Sequence, residues 1–217
     1  MPRNGLGVYD QFNNLRDDKA LVVIGSMKSN PMADLVLADA FGCEPFQTQD
    51  NVATADKRAC PLFLRFRDHD PQNPSCWGGM KLAADQPAKK PGIYFETPDG
   101  KWDAVTWEEN KQDAAFVFYV HRESQGCLQL ALGGYSGRAT RMLARYLARH
   151  GEEFWPPNYE GHGLQVGAFV VKFTLTGSAS RDRTSLTTDQ PFETEIIRLD
   201  RSVIERRMLS PGDEEEA

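Results

Sequence analysis

The chain has little that ties it to a familiar chemistry. Its 217 residues include four cysteines, Cys43, Cys60, Cys76 and Cys127, with no C-x-x-C pair among them. Widely spaced single cysteines fit reduced thiols and argue against a disulfide frame or a zinc site, so no metal is expected. No apolar run approaches the ~18 residues of a membrane-spanning helix, so no membrane association is expected. The opening MPRNGLGVYDQFNN lacks the apolar centre of a signal peptide, which predicts a cytoplasmic protein. Positive charge is not in surplus either. With 25 Lys and Arg against 31 Asp and Glu, the net charge is −6 and nucleic acid is not the expected partner.

Several catalytic signatures are missing too. G-x-G-x-x-G fails because Gly133 and Gly137 have Tyr135 between them, where a glycine would be needed. No Gly-Lys-Ser/Thr of a P-loop occurs. Gly134-Tyr135-Ser136-Gly137-Arg138 misses the nucleophile elbow because Arg138 replaces its last glycine.

What remains is enough apolar material, 40% of residues, for one sizeable core. A single domain is expected over residues 21–209, preceded by an N-terminal arm, 1–20, and followed by a disordered acidic tail, 210–217. Two segments share one plan. Leu21-Val22-Val23-Ile24 is a continuous apolar run, as in a strand covered on both faces. It ends at Gly25, and Ser26 to Asn30 lead into a helix with Asn30 as N-cap, Pro31 in the first turn and Gly42 past the end. The run Cys127–Leu132 likewise ends at Gly133, and a small polar loop leads into a helix closed by Gly151. Between and after them, Pro61–Phe66, Ala115–Val120, Val166–Phe173 and Glu193–Leu199 read as strands, the last at a sheet edge. Gly92–Glu96 and Trp102–Trp107 flank Asp99-Gly100, a strong hairpin signal. Apolar strands alternating with helices predict a Rossmann-like α/β fold. Its mostly parallel sheet would carry helices on both faces and a β-hairpin insertion at about 92–107.

In such a sheet the loops after the strands open on one edge, and a helix N-terminus there favours anions. The candidate ligand-binding residues are therefore Gly25, Ser26, Lys28, Ser29 and Asn30 in the first loop, and Gly133, Gly134, Ser136, Gly137 and Arg138 in the second. The plainer reading makes the glycines a turn and the hydroxyls caps. His121, directly after the strand Ala115–Val120, joins the candidate set as a general base or a simple hydrogen-bonding group. Glu44, Glu123 and Glu160 are equivalent candidates for a catalytic acid. Arg141, Arg145 and Arg149 follow Arg138 at helical spacing and form one basic face, either solvated or an interaction face for a partner protein or a second copy. Asp68-His69-Asp70 is better read as a polar loop than as a metal cluster, and Trp77 as an anchor for that loop.

LVVIGSMKSNP together with LQLALGGYSGRATRMLARYL resembles a set of bacterial Rossmann-like or flavodoxin-like α/β domains. In these a first strand ends in a Gly-Ser loop before Asn-Pro, and a later strand ends in a glycine-rich loop. They occur beside signalling or helix-turn-helix modules. The resemblance covers Leu21 to Gly42 and Ala115 to Phe173, and it implies nucleotide-like ligand binding with a sensing role. A more distant similarity, to TIR-like and deoxyribosyltransferase-like enzymes, implies hydrolysis of an N-glycosidic bond. It matches no catalytic glutamate motif here. The expectation is a binding protein for a nucleotide-like anion, with no certain cofactor. The alternatives are a glycosidic-bond hydrolase and an interaction module using the arginine face.

Overall fold

The computed structural model describes residues 19–27, 29–43, 60–65, 90–176 and 192–208. In chain order the elements are β1 (Ala20–Ile24), α1 (Pro31–Ala40), β2 (Leu62–Arg65), β3 (Gly92–Glu96), β4 (Trp102–Thr106), β5 (Gln112–Arg122), β6 (Cys127–Gly134), α2 (Gly137–His150), β7 (Tyr159–Gly161), β8 (Leu164–Leu175), β9 (Phe192–Arg198) and α3 (Arg201–Arg207). A six-stranded sheet runs in the order β1-β6-β5-β8, and β7 and β9 both pair with β8. β2, β3 and β4 form a separate three-stranded antiparallel sheet.

The mostly parallel Rossmann-like sheet predicted from the pattern is not what forms. Only β1 and β6 pair in parallel, while every other ladder of the main sheet is antiparallel. The reason lies in the connections. β5 passes to β6 through the single turn Glu123–Gln125 and Gly126, and β7 to β8 through His162 and Gly163. A parallel crossover needs about a dozen residues, so links this short return as hairpins. The hairpin at residues 92–107 is present, but it is no insertion into the main sheet. β3 pairs with β4 on one side and β2 on the other.

The apolar runs of β5 and β8 reflect a central position and two covered faces, which parallel pairing does not require. Ala114, Phe116, Phe118 and Val120 of β5 face a core shared with α1, the small sheet and Ile204 of α3. Ala115, Val117 and Tyr119 face the opposite core, with Ala139, Met142 and Leu143 of α2 and Phe169, Val171 and Phe173 of β8. Helices therefore lie on both faces of the main sheet. α3 is fastened to the small sheet by the buried Glu96, whose carboxylate takes Arg206 Nη2 at 3.0 Å and Arg207 Nε at 2.6 Å. Such a pair holds position more than it adds net stability.

β1 also departs from expectation. Among the described strands it is an outer one, and Val22 and Ile24 are 52% and 61% exposed. Cys43, Cys60 and Cys127 are buried thiols, and burial pushes the Cys43 thiol well above its ordinary range. No helix among the described residues is long and apolar enough to cross a membrane. Residues 1–18 of the predicted arm, whose last residue Ala20 begins β1, the segment containing Asp68-His69-Asp70 and Trp77, Cys76, and the acidic tail lie outside the described residues.

The difference between central and outer strands is measurable. Phe118→Ala, at a fully buried site, should lower the unfolding free energy by about 3–5 kcal/mol. Val22→Ala, half exposed, should cost under about 1 kcal/mol. Urea midpoints at unchanged m-value check both, and equal losses would contradict the layer assignment.

Candidate functional site

β1 and β6 lie side by side and run in the same direction, so the loops that follow them meet on one edge of the sheet. From there α1 passes to one face and α2 to the other. A crevice opens outside the strand ends wherever neighbouring parallel strands send their connections to opposite faces. Among the described strands that condition holds once, at the ends of β1 and β6, where the backbones of Gly25 and Gly133 pass close together.

The glycines serve chain packing at this seam. A Cβ on Gly133 would stand under 3.0 Å from the backbone of Gly25 and Ser26, and one on Gly134 would meet the backbone of Ala139 and Thr140. Only backbone without side chains lets β6 pass so close to the first loop and to the start of α2. The amide of Gly25 donates to the carbonyl of Leu132 at 2.9 Å and so extends the ladder into the loop. Gly137, by contrast, is exposed and has open space around it.

Both loops satisfy most of their own polar groups. In the first, the amides of Ser29 and Asn30 donate to the Ser26 carbonyl at 2.9 and 2.8 Å, and the two serine hydroxyls lie 3.1 Å apart. Asn30 caps α1 by accepting from the Met32 amide at 3.2 Å, and its Nδ2 reaches back to the Ile24 carbonyl at 3.2 Å. In the second, Ser136 Oγ accepts from the amides of Arg138 and Ala139, each at 3.1 Å. Thr140 Oγ1 takes the Gly134 amide at 2.9 Å. Few helix amides at this edge are therefore left bare, so any charge here comes from side chains. Arg138 supplies that charge, half-buried in the first turn of α2, and Lys28 lies outside the described residues.

Three residues at this edge were not singled out by the sequence pattern. Asp113, at the start of β5, is 3% exposed, and its Oδ2 accepts the Ser136 hydroxyl. Burial pushes its carboxyl above the usual range, against the opposing pull of that hydroxyl, the Ala114 amide and the Arg138 guanidinium. Tyr135, next to Ser136, has its ring centre 6.1 Å from that of Trp107, an indole 36% exposed. No motif flags Asp113, because its partner is 23 positions away in the chain. Trp107 reads from sequence only as the end of a hairpin strand.

Other candidates fall elsewhere. In the β5–β6 ladder Ala115 pairs with Gly134, whereas His121 pairs with Leu128. At ~3.4 Å per residue that separation is about 20 Å, so the imidazole lies at the far end of the sheet from the two loops. Glu123 follows β5 directly and Glu160 pairs with Gln165, opposite His121, so both share that far end. Glu44 is not among the described residues. Arg141, Arg145 and Arg149 are exposed along α2 as their spacing implies. Arg145 and Arg149, with Tyr146, His150, Phe192 and Thr194, line a groove of about 770 Å³. Glu153 partly neutralises it by taking Tyr146 Oη at 2.7 Å and His150 Nδ1 at 2.8 Å. Among the described residues no group of three His, Cys, Asp or Glu side chains could hold a metal ion.

Ser136→Ala removes the α2 cap and strips Asp113 of its hydroxyl donor, and should cost about 1–2 kcal/mol in a urea titration. Asp113 should also leave a signature in pH. Its raised folded-state pKa means that the folded protein keeps a proton over a range where the unfolded chain, with a pKa near ~4, has lost it. The stabilisation is complete below the unfolded value and is lost as pH rises through the folded one. Stability of Asp113→Asn relative to wild type should therefore improve as pH rises above about 4; a constant difference across the acidic range would contradict the burial argument. No family model, no curated protein and no solved structure matches this chain.

Proposed function

We propose that the protein is a cytoplasmic binding protein for a nucleotide-like anion, held in the crevice between the loops after β1 and β6, with a sensing role. The observation that carries the reading is the parallel β1–β6 pair whose helices leave to opposite faces, since ligands in open α/β sheets collect at such a point. Arg138 supplies positive charge for the anionic group. The exposed Trp107 indole beside Tyr135 provides a flat apolar surface for a base. Ser136, fixed by Asp113, keeps the start of α2 in place. A ligand seated on this seam touches the start of α1 and of α2 together, which suits a protein whose response to the ligand is a change in shape or rigidity.

A thermal-denaturation screen against mono- and dinucleotides tests this. At a ligand concentration 100 times Kd the wild type should gain about 2.7 kcal/mol. Arg138→Ala should lose that gain for phosphorylated ligands while unfolding normally without them. Trp107→Ala should weaken nucleotides and leave inorganic phosphate unaffected. Absence of any shift in the wild type across the panel, or a shift indifferent to Arg138, would refute the proposal.

A further inference from the structure

The sheet face under α2 carries a second, chemically different feature. α2 packs on β5, β6 and β8, and the outer part of this face bears Val22 and Ile24 of β1, 52% and 61% exposed. The register sets Val22 beside Leu130 and Ile24 beside Leu132, and continues inward to Tyr119 and Val117 of β5. Beside this apolar strip a groove of about 630 Å³ opens between the sheet, the end of α2 and the turn that follows it. Leu128, Leu130, Leu132, Leu147, Phe154 and Trp155 supply most of its wall. Trp155 is 55% exposed at its rim. Its volume lies within the ~300–1,000 Å³ of small-molecule sites, whose walls are mostly apolar with a few placed polar groups.

Polar groups collect at one end of the groove. His121 and Gln165 line it there and stand opposite one another in the β5–β8 ladder. The Tyr119 hydroxyl is engaged elsewhere, donating to the Phe154 carbonyl at 3.3 Å. A carboxylate stands beside this polar end, while a guanidinium, Arg198, stands at the rim, donating to the Trp155 carbonyl at 3.3 Å. The carboxylate is that of Glu123, whose Oε1 accepts from Gln165 Nε2 at 2.7 Å, and Arg122 is drawn to Asp39 at 2.7 Å. A carboxylate head on a ligand would meet the exposed Glu123 as a like charge and would also give up water against the apolar wall. A hydroxyl or carbonyl can take a hydrogen bond from the imidazole without that cost.

We propose that this groove is a binding site for an uncharged amphipathic molecule, with an acyl or aryl body along the leucines of β6 and a neutral hydroxyl or carbonyl head at His121. Its polar end lies at the other end of β5 from the crevice, while Val117 and Leu132 carry its apolar wall toward the seam.

The test uses the full chain and N-phenyl-1-naphthylamine, an uncharged fluorescent probe, with decan-1-ol and decanoate as competitors at neutral pH. The expected result is saturable binding of one probe per chain, displaced by the alcohol at concentrations at least tenfold below those needed with the acid. Leu147→Trp, which fills the groove, should weaken the probe at least tenfold without lowering the unfolding temperature. Glu123→Gln should shrink the preference for alcohol over acid several-fold while leaving decanol displacement within twofold of wild type. That last readout separates a charge beside the ligand head from a merely structural glutamate. Non-saturable binding, equal displacement by acid and alcohol, or indifference to Leu147→Trp would overturn the proposal. So would a sedimenting dimer that excludes the probe until Val22→Glu makes it monomeric, since a second copy would then be the occupant.

Discussion

β5 is the strand on which the other layers depend. It is hydrogen-bonded along both edges, to β6 and to β8, and its side chains alternate between two cores. A strand in that position cannot shift by one residue without exchanging Phe116 and Phe118 for Ala115, Val117 and Tyr119, so its register is set from both sides at once. β6 and β8 are each antiparallel to β5 and therefore parallel to one another. The segment of α2 and β7 then joins them across the strand between, which brings the helix over the centre of the sheet.

The one parallel ladder has consequences out of proportion to its five residue pairs. It puts the end of β1 against the end of β6, and the lack of side chains at Gly25 and Gly133 lets the two backbones touch. It also leaves β1 with a neighbour on one side only among the described strands. An outer strand bearing exposed Val and Ile would normally be blunted by charge, bulges or a covering element. Here the apolar character continues inward through Leu130 and Leu132 to a lined groove. The same strand pair therefore bounds a polar seam at its end and an apolar surface on its face.

The two sites differ in how they use charge. At the crevice a buried carboxylate, Asp113, lies close to the positive end of α2 and to Arg138, so helix start, acid and guanidinium hold one another in place. At the groove the carboxylate of Glu123 is outside the apolar wall, held by Gln165. Along α2 the basic stripe ends near Glu153, where Tyr146 and His150 share its carboxylate. These arrangements arise from residues far apart in the chain, so local net charge says little about any of them.

Much of the local structure was legible in the chain: the strands apart from β7, the hairpin at Asp99-Gly100, and α1 and α2, with Asn30 capping the first and a hydroxyl the second, whereas α3 was not read. These depend on interactions within a few residues, where propensity, capping and turn chemistry operate. The pairing direction was misread, since an apolar run reports burial on two faces and carries no sign of which way its neighbour runs. The short links from Arg122 to Cys127 and through His162 and Gly163 were the clues to hairpins. Which groups share a site was decided only in three dimensions. The register of β5 separates His121 from the loops it follows in the sequence pattern, and brings Asp113 under Ser136, because hydrogen-bonded ladders set distance between residues that chain separation does not.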